Sequence, residues 1–205
     1  MNFFGHAVVS RRVEQAPGRF PGQAPYALGA MLPDFASMCG GRLEHVGQAP
    51  VAAGVELHHR TDLIFHKHPR VLELMSELHE RLLRDGCARG PARAGSHIGV
   101  ELLLDGVFLE DSESRALYEQ AVLHPPEPLS WRQVEDAERF AVLRRRLSWA
   151  GAPYDLSAPR GAAERLVRTL ARRPRLAATP SDATCLARGL EALAPRVERW
   201  ADEIL

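Results

Sequence analysis

Five of the nine histidines lie between positions 58 and 79: His58, His59, His66, His68 and His79. Asp62 sits among them. On an α-helix, side chains three or four apart share a face. His58, Asp62 and His66, at i, i+4 and i+8, therefore make one stripe, with His59 on its edge. Imidazoles and a carboxylate converging on one face can hold a divalent metal or carry protons. Two plainer readings stand beside this one. Each residue taken singly also suits a solvated polar face, and a protonated His66 or His68 near a helix end is favoured by the helix dipole.

Three further segments set ionisable groups in apolar surroundings. Asp34 follows Ala27-Leu28-Gly29-Ala30-Met31-Leu32-Pro33 and precedes Phe35. A carboxylate there is costly unless it is paired or metal-bound, or unless the helix ends at the surface. Glu101 and Asp105 are four apart within the largely apolar run from Gly99 to Leu109, and His97 lies four residues earlier on the same stripe. His6 stands in the apolar opening Phe3-Phe4-Gly5-His6-Ala7-Val8, where a histidine also serves as a satisfied core residue. Four predicted helices thus contribute histidines and carboxylates, a pattern from which helical bundles build metal sites.

The elements that must position these groups are helices almost throughout; no alternating strand and no Asn-Gly hairpin stands out. The periodicity predicts helices over 2–14 (Asn2 as N-cap), 26–38 (bent by Pro33) and 51–67 (stopped near Pro69). Val71, Leu74, Met75, Leu78 and Leu82 form the stripe of another. Ser96, Ser112 and Ser130 are expected to cap helices running to about 109, 123 and 149, and 160–172 follows. Pro17, Gly18, Pro21, Gly22 and Pro25 mark a loop, as do Gly40-Gly41 and Pro50. Gly86 through Gly95 reads as a flexible connection, and Pro125, Pro126 and Pro128 as a stiff linker. In the last helix Leu186, Leu190, Leu193, Val197, Trp200 and Ile204 form a packing seam, for docking onto the bundle or for dimerisation.

The chain of 205 residues is 45% hydrophobic and 25% charged, which fits one soluble all-α domain over 1–205. Lys plus Arg and Asp plus Glu are 26 each, and a net charge of zero argues against a general nucleic-acid binder. The zero is a sum over unlike regions. Residues 101–119 hold six acidic residues against Arg115, while 160–175 holds six arginines against Glu164. Only Lys67 is a lysine, which a codon-biased genome would explain. Cys39, Cys87 and Cys185 are too few and too scattered for a disulfide framework. No signal peptide and no apolar run long enough for a membrane span is visible, so the cytoplasm is the expected location.

Several segments, in order along the chain, resemble the acyl carrier protein phosphodiesterases. Met1-Asn2-Phe3-Phe4-Gly5-His6 is similar to that family's opening, and Gly29-Ala30-Met31-Leu32-Pro33-Asp34-Phe35 to its G-N-L-L-A-D-F segment. Gly54 through Asp62, with Pro69 after it, resembles its G-I-x-x-H-R-x-I-D…P segment. Leu104-Asp105-Gly106-Val107-Phe108-Leu109 resembles its [WY]-D-H-F-L segment, and Arg172-Arg173-Pro174-Arg175-Leu176 a late basic one. The resemblance implies a compact all-α variant of the HD-domain phosphohydrolases, dependent on manganese or magnesium (or iron). It also implies removal of 4′-phosphopantetheine from holo acyl carrier protein.

The resemblance carries over His6, Asp34, His58, Asp62 and Asp105. The expected metal shell is Asp34, His58, Asp62 and Asp105, with His6 in or near it. Arg60 or His59 would hold the phosphate, and His97 or His66 would protonate the leaving alkoxide. An acidic carrier protein would dock on 160–175. The chain departs from the family at Gly106, where a histidine is usual, at Phe65-His66, where Thr-Asp is usual, at Glu101, which replaces an aspartate, and at His59, where a basic residue is usual. Two other functions fit the same residues: an HD-type hydrolase of a small phosphoester or nucleotide, and a non-catalytic helical module binding an acidic protein.

Overall fold

A computed structural model describes residues 1–12, 20, 22–125 and 129–205. Positions 13 and 14 of the first predicted helix, Pro17, Gly18 and Pro21 of the first loop, and Pro126 and Pro128 of the linker lie outside them. The fold is all-α. Among the described residues there are nine α-helices: α1 (Phe3–Arg12), α2 (Ala24–Cys39), α3 (Ala49–Phe65), α4 (Pro69–Arg84), α5 (Arg89–Phe108), α6 (Ser112–Leu123), α7 (Val134–Ala150), α8 (Pro159–Ala171) and α9 (Pro180–Ile204). Two short strands, β1 (Leu43–Val46) and β2 (Leu129–Trp131), and a single 3-10 turn (Tyr154–Ser157) complete them. None of the helices is long and apolar enough to cross a membrane. The chain gathers into two compact units, one of Met1–Leu63 with Asp111–Pro153, the other of Ile64–Glu110 with Tyr154–Leu205.

In the first unit α1 packs on α2 and α6, and α2 also packs on α6 and α7. Phe3 stacks against Phe35 and Tyr118, and Phe4 against Tyr118, with ring centroids 5.6–5.9 Å apart. Arg11 ties α1 to the start of α6 through Asp111 and Glu113. Asp111, rather than the expected Ser112, caps α6 by accepting the Glu113 and Ser114 amide hydrogens. Pro25 does not end the first loop but stands in the first turn of α2, where its missing N–H costs nothing. Gly40 closes α2 in the left-handed conformation at φ 67°.

β1 and β2 pair antiparallel, and Trp131 stacks on Phe140 of α7. Strands of four and three residues are too short to show alternation, which is why the sequence reads as helix and loop there. Ser130 lies in β2 rather than at a helix cap, and α7 begins after Gln133.

The tightest approach in this unit is between α2 and α3. A Cβ on Gly29 would overlap the Val51 carbonyl oxygen, and one on Gly54 the Tyr26 carbonyl oxygen. The backbones therefore meet at two glycines.

In the second unit α4, α5, α8 and α9 pack around one another. The seam of α9 is consumed by this packing: Leu186, Leu190, Leu193, Val197 and Ile204 are buried. Trp200 instead lies under the guanidinium groups of Arg70 and Arg196, each 4.4 Å from the ring centre. The expected flexible connection is largely helix. α5 starts at Arg89, and Pro91 falls in its first turn, where amide hydrogens have no helical acceptor. Gly95 and Gly99 are there for closeness, since a Cβ on them would meet Leu186 at 2.5 Å and Leu190 at 2.7 Å. Ser96 is buried mid-helix and donates to the Arg93 carbonyl instead of capping. Thr179 and Asp182 form the capping box of α9, and Asp182 also accepts the Ala88 amide hydrogen at 2.7 Å. All three cysteines are free thiols.

Replacing Gly54 by Ala forces a methyl group into the α2 backbone. A loss of stability of about 1–3 kcal/mol is expected, as for other overpacked sites. Urea denaturation followed by circular dichroism measures it; an unchanged midpoint would show that the helices do not meet there.

Candidate metal centre

Three helices of the first unit bring ligands together. α3 buries Val51, Gly54, Leu57 and His58, a helical stripe facing α2, while His59 and Arg60 point to solvent. α1 is buried almost all round, and His6, one turn after Phe3, is fully buried within it. α2 contributes Asp34, half-buried one residue after Pro33. One ligand atom each from His6, Asp34 and His58 lies within 4.8 Å of the others. The two imidazole rings are 4.0 Å apart between centroids.

The second nitrogen of each ring is already committed. His58 Nδ1 is 2.9 Å from the Ala30 carbonyl oxygen, which can only accept, so Nδ1 carries the hydrogen. Thr61 Oγ1 gives its own hydrogen to the Leu57 carbonyl at 2.9 Å, so at 3.1 Å from His6 Nδ1 it accepts. In its neutral form each histidine then carries its lone pair on Nε2, the arrangement that metal-ligating histidines use. Burial pushes the His58 pKa below its usual 6.5 and outweighs the raising effects of the Ala30 hydrogen bond and of Asp62. A neutral imidazole is the ligating form. Two imidazole nitrogens and a carboxylate oxygen fit Mn, Fe or Zn better than magnesium, which takes oxygen ligands.

Asp62 lies beside this trio. Its Oδ1 accepts from the Met1 ammonium at 2.8 Å and is 4.0 Å from His6 Nε2. His59 turns its ring edge to His58 with centroids 5.4 Å apart, and Arg60 is exposed. Thr61 and the Ala30 carbonyl orient the ligands but were invisible beforehand. A threonine in a helix and a backbone oxygen leave no mark of their own in one sequence.

α3 carries His58 and Asp62 of the expected stripe and ends at Phe65; His66 is the first residue of the turn that follows. His66 belongs to the second unit, with His97 and Glu101. His97 and Glu101, expected on one stripe, both lie on α5 with His97 Nε2 3.1 Å from Glu101 Oε1. Asp105, one turn further on, is fully buried in the same helix. At Gly106, where the resembling family carries a histidine, a Cβ would overlap the Leu156 carbonyl oxygen. Backbone fills the space a side chain would need. His68 precedes α4 and His79 lies within it, and neither belongs to a three-ligand group among the described residues.

The arginine-rich segment is partly neutralised within its own unit. Arg165 and Arg168 both pair with Asp155, and Arg160 pairs with Glu164. Arg172, Arg173 and Arg175 are exposed at the end of α8 and beyond it.

The lowered pKa of His58 fixes a pH dependence. The unfolded chain takes up this proton near pH 6.5 and the folded chain only at lower pH. Stability from a neutral His58 is thus present above that value and lost as pH falls below it, at up to about 1.4 kcal/mol per pH unit. Urea midpoints measured in chelator between pH 7.5 and 5 should fall more steeply for the wild type than for His58→Gln; parallel profiles would contradict the assignment.

Comparisons with protein-family models, with curated proteins and with solved structures found no match to the chain.

Proposed function

We propose that this protein is a metal-dependent phosphodiester hydrolase whose metal is held by His6, Asp34 and His58. The observation that carries the reading is the pair of stacked, buried imidazoles, each with Nδ1 hydrogen-bonded, whose ligand atoms lie within 4.8 Å of a carboxylate oxygen. A divalent cation held there would lower the pKa of a bound water and offset charge on the phosphoryl oxygens. The chain's own residues supply the rest. Thr61 and the Ala30 carbonyl hold the rings in the ligating tautomer. Asp62, 4.0 Å from His6 Nε2, is placed to accept a hydrogen bond from a nucleophilic water. His59 and Arg60, exposed on the neighbouring turn of α3, are available to bind phosphate oxygens.

The substrate class comes from the resemblance, which implies the 4′-phosphopantetheinyl serine of a holo acyl carrier protein and manganese or magnesium (or iron); of these the histidine ligands favour manganese or iron. Carrier proteins of that kind are acidic, and exposed Arg172, Arg173 and Arg175 offer a complementary surface. A cytoplasmic location accords with this substrate.

Two measurements test the proposal. Metal analysis should find a divalent transition ion, and hydrolysis of a generic phosphodiester with manganese should fall by about 100-fold or more in His58→Ala and Asp34→Asn. That scale is set by the partners behind metal ligands, which alone are worth about 10–100-fold. A wild-type protein that neither binds metal nor hydrolyses phosphodiesters would overturn the reading. Mass spectrometry of a holo carrier protein then tests the substrate. Arg172→Glu with Arg173→Glu should slow conversion to the apo form and leave hydrolysis of the small phosphodiester unchanged. Equal hydrolysis of nucleotides and no action on the carrier protein would instead favour a small-molecule enzyme.

A further inference from the structure

The second unit contains another group of metal-type ligands, and the hydrolase reading assigns it no metal. His97 Nε2 lies 3.1 Å from Glu101 Oε1, and His66 Nε2 lies 3.8 Å from the same oxygen. The two rings are 4.8 Å apart between centroids. His97 and Glu101 are rigidly set, one turn apart on α5. His66 is held from the turn after α3 by its edge-on contact with buried Phe65, centroids 5.3 Å apart.

Two protonated rings so close would repel each other, whereas two neutral rings can share one cation with the carboxylate. Two nitrogens and one oxygen at these spacings are what a transition ion gathers. Ligands about 2.1 Å from a tetrahedral zinc lie about 3.4 Å from one another. The observed 3.1 and 3.8 Å bracket that value.

We propose that His66, His97 and Glu101 form a second transition-metal site, which takes a zinc-class ion such as Zn(II) or Co(II). Glu101 is largely shielded while His97 is half exposed, at 13% and 50% of the side chain. An ion can therefore enter from solvent, and water completes its coordination. The imidazole pair selects against magnesium and calcium.

The site is tested apart from the first one. In chelator-treated His58→Ala protein, Co(II) titration followed by visible absorption and calorimetry should show one equivalent bound. X-ray absorption of the loaded protein should show two imidazole nitrogens. His97→Ala and Glu101→Gln, each added to His58→Ala, should weaken that binding about 10-fold or more. Circular dichroism confirms that each variant is folded, and His66→Gln replaces any that is not. Absence of Co(II) binding in the His58→Ala protein, or binding unaltered by the second substitutions, would overturn the proposal. Because these readouts use binding alone, inactivity towards phosphodiesters leaves the result intact.

Discussion

The candidate metal centre depends on the distance between two backbones. His58 reaches the Ala30 carbonyl only because α2 and α3 cross at Gly29 and Gly54, with no side chain between them. That hydrogen bond fixes which nitrogen of His58 carries the hydrogen, and so which one faces Asp34 and His6. Glycine in a helix interior costs about 0.5–1 kcal/mol relative to alanine, and Pro33 gives no hydrogen to the Gly29 carbonyl one turn before it. Both are unfavourable choices for an isolated helix. They become intelligible once α2 must approach α3 this closely and then turn Asp34 towards two histidines.

The same constraint explains how polar groups persist in the core of the first unit. His6 and His58 lie among Phe3, Phe4, Leu57 and Ala30, where a charged ring would be strongly disfavoured. The structure keeps His58 neutral by burial and engages one nitrogen of each ring. The two rings lie with the Asp34 carboxylate within 4.8 Å of one another, and such a group is stabilised by a cation. In the second unit the balance differs. Burial opposes ionisation of Glu101, yet its carboxyl is held below the usual range with the His97 hydrogen bond as one cause. Its partners are exposed enough to exchange with solvent.

Helical periodicity made most of this fold legible. The α9 seam, the α4 stripe and the segments carrying His6, Asp34 and His58 all lie on helices as expected. What escaped detection was governed by tertiary contact. Gly90, Pro91 and Gly95 look like a loop because local propensity disfavours helix there, but α5 forms around them: Pro91 sits where no helical hydrogen bond is lost, and Gly95 admits Leu186. Ser96 and Ser130 are good capping residues that the chain uses otherwise. His66 stands one residue past the end of α3, and helix ends are the least certain part of any periodicity argument. His97 and Glu101 keep the expected one-turn spacing because both lie well inside one helix.

The departure at Gly106 bears most directly on the family resemblance. If that position were a histidine simply lost by drift, a void or a solvated gap would be expected beside it. Instead the Leu156 carbonyl packs against the glycine so closely that no side chain fits there without moving the backbone of the 3-10 turn. The segment around Asp105 is therefore organised for packing at the position where the family pattern calls for an imidazole. Chemistry that relies on that histidine is closed to this chain. The hydrolysis proposed for it would have to draw its imidazoles from elsewhere, and the buried pair on α1 and α3 is where the first unit offers them.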